Sequence, residues 1–356
     1  MRRLPPVPNR LPMSHRLVTL IIAGCCVLAG LVVAAVTSVP YVALTPGPTL
    51  NTLSSPDGKA IIQISDRRTY GANGHLNLVT VSYSGGPGSD FNIFSALRAW
   101  LTPHDAVVPE SEIFTPGQTQ QQVVKQDTQQ MVGSQQDATA AALCYLNISY
   151  KTIDKVAVTS KDTPAYGVLK PGDQIVAVDG TKIDCHHPVV NLIRDRKPGA
   201  SVTLTVLRNG TTMTFHLATK DVNGEPVVGV QLAPPSFVFP FPVKINLPDV
   251  GGPSAGLMFA LGIIEKLTPV SLTDGRFIAG TGEIEPTGAI DPIGGIQQKM
   301  AGARAAGATI FLTPAANCPD TAGAVPPGLR LIKVSTLAGA VTELNAAEHG
   351  QPVPTC

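Results

Sequence analysis

A serine, a lysine and a threonine in the last third of the chain have the types and settings for acyl-transfer chemistry. Ser254 follows Gly252-Pro253 and precedes the apolar run 257–264, which has no polar face and predicts a buried helix. Pro253 suits the first turn of that helix and Ser254 its N-terminal edge. A hydroxyl there lies beside unpaired backbone N–H groups and the positive end of the helix dipole, a setting that stabilises an oxyanion. Pro253 carries no N–H, so the backbone at Gly252 and Ser254 is the candidate source of donors. Lys299 stands 45 residues further on, in Ile293-Gly-Gly-Ile-Gln-Gln-Lys-Met-Ala-Gly-Ala-Arg304. The glycine pair opens a helix there, and the lysine faces Ala303 on an otherwise small apolar surface. Desolvation lowers a lysine pKa toward neutrality. A neutral amine can then take the proton of a serine hydroxyl, the Ser–Lys form of nucleophilic catalysis. Thr281, in Gly280-Thr-Gly-Glu-Ile284, follows a strand expected over 276–279.

Each of these residues also has a plain structural reading: Ser254 as a helix cap, Lys299 as a solvated lysine, Thr281 as a strand hydroxyl. Asp249 and Asp291 either shape the site or serve as turn residues. Lys266 and Lys333 are expected at element ends, in solvent.

Positioning such a site takes a folded scaffold, and 356 residues with 44% hydrophobic side chains suffice for two or three domains. Only 14% of residues are charged and the formal net charge is +1, which argues against nucleic-acid binding. The 34 glycines and 32 prolines make the chain loop-rich without making it disordered. Residues 41–56 read as a stalk or entry strand. Strands are expected at 61–64 and 76–82, and a short amphipathic helix at 91–101. The glutamine-rich run 118–136 is either a polar helix leading to 138–146 or a low-complexity linker. Between 154 and 217, strands at 156–158 and 174–178 precede a short helix at 188–196. A hairpin, 201–207 with 212–217, turns across Arg208-Asn-Gly210.

Residues 17–36 are uncharged throughout, and no charged side chain occurs between Arg16 and Asp57. At 1.5 Å per residue such a stretch spans a hydrocarbon layer of ~30 Å. Arg2, Arg3, Arg10 and Arg16 precede it, which keeps the N-terminus cytoplasmic and sends the remainder outside. A cleaved signal peptide is the competing reading, but its apolar core is usually shorter. Outside the membrane, Cys144, Cys185, Cys318 and Cys356 face an oxidising compartment. Proximity in sequence favours Cys144–Cys185 and Cys318–Cys356, with four unpaired thiols as the alternative. Asp184-Cys-His-His187 lacks the ligand spacing of a metal site.

Three resemblances organise these observations. Leu169-Lys-Pro-Gly-Asp-Gln-Ile-Val-Ala-Val-Asp-Gly180 resembles the PDZ domains attached to bacterial proteases, which take a peptide terminus as an added strand. The loop expected to hold a peptide carboxylate lies near 145–150 and has no glycine, so peptide binding and a spacer role both stay open. Gly252-Pro-Ser-Ala-Gly256, Thr281-Gly-Glu283 and Ile293-Gly-Gly295 with Lys299 resemble, in order and spacing, the proteolytic domain of the Lon peptidases, over roughly 226–345. That resemblance implies Ser254 as nucleophile, Lys299 as general base and Thr281 as the hydroxyl that orients the lysine. The chain as a whole is similar to bacterial membrane-anchored, PDZ-containing Lon-like proteases. The expected class is α+β: a cytoplasmic tail at 1–16, a transmembrane anchor at 17–39, an extracytoplasmic α/β region at 40–145, a β-rich PDZ-like domain at 146–222 and a Lon-like peptidase domain at 223–356.

No phosphate loop of the Gly-x-x-x-x-Gly-Lys-Ser/Thr type occurs, and Gly85-Gly-Pro-Gly88 lacks the lysine and reads as a turn. The implied activity is therefore ATP-independent, needs no cofactor or metal, and acts on unfolded or extended proteins of the cell envelope. The resemblance implies a homo-oligomer. The rival reading is an inactive envelope scaffold in which PDZ and peptidase-like domains bind partner peptides.

Overall fold

The computed structural model describes residues 15–247 and 250–356, so Asp249 and the first three N-terminal arginines lie outside the described residues. The chain divides into two compact units, 1–45 with 82–123 and 46–81 with 124–356. In the first unit, helix His15–Val36 has none of its residues buried and carries 22 residues, long enough at ~1.5 Å each for a bilayer. Strand Tyr41–Asn51 pairs antiparallel with Ala106–Pro109, from Tyr41 opposite Pro109 to Leu44 opposite Ala106. Helix Ile93–Leu101 packs Ala96 and Ala99 against Ala43 and Phe91.

The second unit is built on a parallel arrangement of Arg330–Val334, Ile310–Pro314, Phe277–Gly280 and His75–Gly85, in that order. Alternation along these strands divides the side chains between two faces. Leu76, Leu78, Ile278, Leu312 and Ile332 pack with helices Gly256–Leu267 and Leu337–Glu348. Val79, Ala279, Phe311 and Leu331 pack with helix Ile296–Ala305. Both faces are covered, as a parallel sheet requires. Residues 46–81 thus lie in the same core as the serine and lysine segments, through the pairing of His75–Leu78 with Phe277–Gly280.

The glutamine-rich run is one helix, Gln120–Tyr145, not a linker. It stops where Asn147 takes a left-handed conformation and Ile148 N–H donates to the Leu143 carbonyl. The β-rich segment after it runs Val230–Leu232, Lys151–Thr159, Gln174–Val178, Ser201–Arg208, Thr211–Ala218 in sheet order, around its own core of Val156, Ile175, Val178, Val202, Leu204 and Val206. Its last hairpin turns at Asn209-Gly210, both at positive φ. Inside, Arg208 donates twice to the buried Asp173, and this ion pair holds the carboxylate below its usual pKa.

Cys144 is bonded to Cys185, with His186 against it, and Cys318 to Cys356. The disulfide sulfurs of the first pair are not thiolates, the form in which cysteine binds zinc. The second pair holds residues 351–356 so that the Pro354 carbonyl accepts from Lys333 N–H on strand Arg330–Val334. The bridges close loops of 41 and 38 residues, so in the chain-entropy account each adds about 3–4 kcal/mol. Reduction should therefore lower the melting temperature by several degrees; coincident melts with and without dithiothreitol would sink this expectation.

Candidate active site

The sequence anticipates the serine helix well but starts it too early. Helix Gly256–Leu267 begins at Gly256, with Ala255 as its N-cap, and Ser254 sits in the turn before it. The reason lies in the Ser254 carbonyl. It accepts from Gly282 N–H at 2.9 Å and from Thr281 Oγ1 at 2.9 Å, and a helical bond from Phe259 N–H reaches the next carbonyl, Ala255. Gly256 permits this close fit, because a Cβ there would come within 2.7 Å of Ile284 Cγ2 and 3.0 Å of Ser134 Oγ.

Two residues of the long helix Gln120–Tyr145 also hold the serine turn. Ser134 Oγ donates to the Pro253 carbonyl at 2.8 Å, and the Asp127 carbonyl accepts from Gly252 N–H at 3.1 Å. Gly252 therefore departs from expectation: its N–H is occupied by Asp127, and its left-handed φ of 81° shapes the turn. The Ser254 N–H has no acceptor among the described residues and stays available to an oxyanion. Nothing in the sequence near Ser134 flags it, since the contact joins residues 119 positions apart.

Lys299 is the fourth residue of helix Ile296–Ala305 and is only 3% exposed. The helix starts from Gly295, at φ 68°, where a Cβ would lie 2.7 Å from Val81 Cγ2. Thus the lysine helix can press onto strand His75–Gly85 only with glycine at this position. Nζ lies 2.8 Å from Ser254 Oγ and donates to Thr281 Oγ1 at 3.1 Å. Burial pushes the amine pKa down to about 7. Thr281 is fully buried. Its hydroxyl proton goes to the Ser254 carbonyl, so toward Lys299 it can only accept. This polarity aims one N–H of the amine at Thr281 and, in the neutral amine, leaves the lone pair for the Ser254 hydroxyl proton.

The structure thus brings Ser254, Thr281 and Lys299 together. Asp291 is a strand residue, opposite Glu283 in the pair Glu283–Ile284 with Ile290–Asp291, and its charge helps burial raise the Glu283 pKa. Nearby, burial and then Glu283 and Glu285 raise Asp137 to about 6. Lys333 is exposed as expected, whereas Lys266 is half-buried and its pKa is lowered by burial.

Residues 243–343 match the family described as Lon protease (S16) C-terminal proteolytic domain. Over these residues the chain is similar to Lon-type proteolytic domains. Residues 144–219 match the PDZ domain family. The Lon-type domain is 43% identical to Lon protease 2 of Thermus thermophilus over 79 residues, which is 22% of this chain and 10% of that protein. It is 34% identical to Lon protease 1 of Bacillus subtilis over 110 residues, 29% of this chain and 14% of the relative. The chain thus spans about a tenth of the length of the curated Lon proteases it matches. The PDZ domain of the SdrC-like protein from Listeria innocua is 24% identical, covering 22% of this chain and 90% of its own, with a TM-score of 0.21. The PDZ assignment rests on the family match.

Proposed function

We propose that this protein is a membrane-anchored serine endopeptidase that cleaves unfolded or extended envelope proteins without ATP, through Ser254 and Lys299. The observation that carries the reading is the 2.8 Å approach of a buried amine, with its pKa near 7, to the serine hydroxyl. Ser254 Oγ attacks the peptide carbonyl carbon as neutral Lys299 takes the hydroxyl proton. The resulting ammonium is held by Thr281 Oγ1, and the oxyanion is met by the Ser254 N–H. Lys299 then gives its proton to the departing amine, the C–N bond breaks and an ester to Ser254 remains. Water, deprotonated by the same amine, attacks the ester; the bond from the acyl carbon to Ser254 Oγ breaks, Lys299 returns its proton to that oxygen, and the acyl product leaves as a carboxylic acid.

Two sequence features support the finer reading. The uncharged stretch 17–36 of helix His15–Val36, with Arg16 and further arginines before it, favours a single-pass anchor with the domains outside. The sequence has no phosphate loop, which favours work without ATP on segments already unfolded.

The test is incubation of the full chain, in detergent or vesicles, with unfolded casein and no ATP, from about pH 6 to about pH 9. Release of peptides is expected, together with attachment of a fluorophosphonate to Ser254, located by mass spectrometry. If neither appears at any pH in that range, the chain is an inert peptide-binding scaffold and the reading fails.

A further inference from the structure

Helix Ile93–Leu101 is turned inside out relative to a helix on a soluble protein. Its buried side chains are Ala96 and Ala99, while Ile93, Phe94, Leu97, Trp100 and Leu101 are exposed. The spacing i, i+1, i+4, i+7, i+8 places these five on one stripe. Trp100 is 71% exposed and Leu101 68%. A contiguous face of large apolar side chains in water marks a surface made to be covered.

The position of this helix indicates what covers it. Its cap residue, Asn92, accepts from Phe94 N–H and Ser95 N–H through Oδ1, while its amide donates to the Ala35 carbonyl at 2.9 Å. Ala35 lies in the last turn of His15–Val36, and Val39 N–H donates to the Phe91 carbonyl just beyond. One asparagine therefore ties the end of the apolar span to the start of the inverted helix. On the reading of His15–Val36 as a bilayer span, that junction lies where hydrocarbon gives way to headgroups. This depth suits a tryptophan, which places its apolar ring and its N–H on either side of the boundary. Arg98, exposed on the same helix, has the length to reach lipid phosphate.

We propose that Ile93–Leu101 is an interfacial helix, seated in the bilayer surface where the span ends, with Ile93, Phe94, Leu97, Trp100 and Leu101 among the upper acyl chains. The occupant of the apolar face is phospholipid. The proposal rests on the anchor reading, and the experiment separates the two.

Trp100 is the only tryptophan of the chain, so its fluorescence reports this helix alone. The full chain is reconstituted into phosphatidylcholine–phosphatidylglycerol vesicles. Lipids brominated close to the headgroup should remove most of the emission, lipids brominated deep in the acyl chain little of it, and aqueous acrylamide should quench severalfold less than in detergent-free denaturant. Leu97→Glu, which keeps Trp100, should restore acrylamide quenching and abolish the bromolipid effect; Leu101→Glu serves if the first variant does not accumulate. Cys25 and Cys26, inside the span, are the control. If a membrane-impermeant maleimide labels them in intact vesicles, the anchor reading falls and this proposal with it. If they are protected while acrylamide quenches Trp100 freely, the interfacial helix is overturned and the anchor stands. A Trp100 shielded from both acrylamide and bromine, in a chain that crosslinks as a dimer, overturns the lipid assignment in favour of a second copy.

Discussion

Ser254→Ala and Lys299→Met should each reduce casein hydrolysis by about 10⁴-fold or more, and the double variant should be no worse than either alone. The equivalence follows from the geometry: Oγ and Nζ, 2.8 Å apart, move one proton between them and act as a unit. Lys299→Arg should not rescue, because a guanidinium stays protonated and cannot accept that proton. The lysine variant should at the same time be more stable than wild type. In the native protein the amine titrates at about 7, whereas in the unfolded chain it titrates near 10.4. Between those values the unfolded chain binds the extra proton, so the lysine's destabilising effect eases as pH rises. Below about pH 7 the effect is present in full and is on the order of 5 kcal/mol. Methionine carries no such cost, so Lys299→Met should melt higher at pH 6, with the gap closing toward pH 10. An inactive variant that melts lower at both pH values would contradict the buried-amine account.

Wild-type kcat/KM should climb about tenfold per pH unit on the acid side and level off above a midpoint near 7, as the amine loses its proton. Thr281→Val should move that midpoint to lower pH and reduce kcat by about 10- to 100-fold. The direction follows from hydrogen-bond polarity. Thr281 Oγ1 accepts from Nζ, a contact that favours the ammonium, and valine replaces it with apolar surface that favours the neutral amine. Asp137 titrates near 6, so Asp137→Asn is the necessary companion and should leave the midpoint in place. A flat profile through pH 7, or a midpoint that rises in Thr281→Val, would remove Lys299 from the role of base.

Much of this site is legible before folding because its parts are local. The apolar run after Ser254, the glycine pair before Lys299 and the small residues around it each state their own environment. What the sequence hides is non-local. The Ser134 hydroxyl and Asp127 carbonyl reach the serine turn from a glutamine-rich helix whose polar sequence carries no sign of those contacts. Hydropathy cannot show which carbonyl a serine will find across the fold. Gly252 departs from its sequence reading for a related reason: an N–H is a free donor only where no distant carbonyl claims it, and here the Asp127 carbonyl does. The pairing of His75–Leu78 with Phe277–Gly280 is likewise invisible, since two short apolar strands carry no mark of each other across 200 residues. The expected hairpin of 201–207 with 212–217 is free of this difficulty, because its contacts are near in sequence and fixed by the turn at Asn209-Gly210.

The staple at Cys356 has an effect beyond tightening the fold. Strand Arg330–Val334 ends its sheet, and a sheet margin with bare amides invites another chain to add itself there. By pressing the Pro354 carbonyl onto Lys333, the chain plugs part of its own margin with its tail. In a reducing milieu that plug would loosen, and molecules would begin to stack edge on edge, so clouding of the solution should precede any loss of catalytic groups.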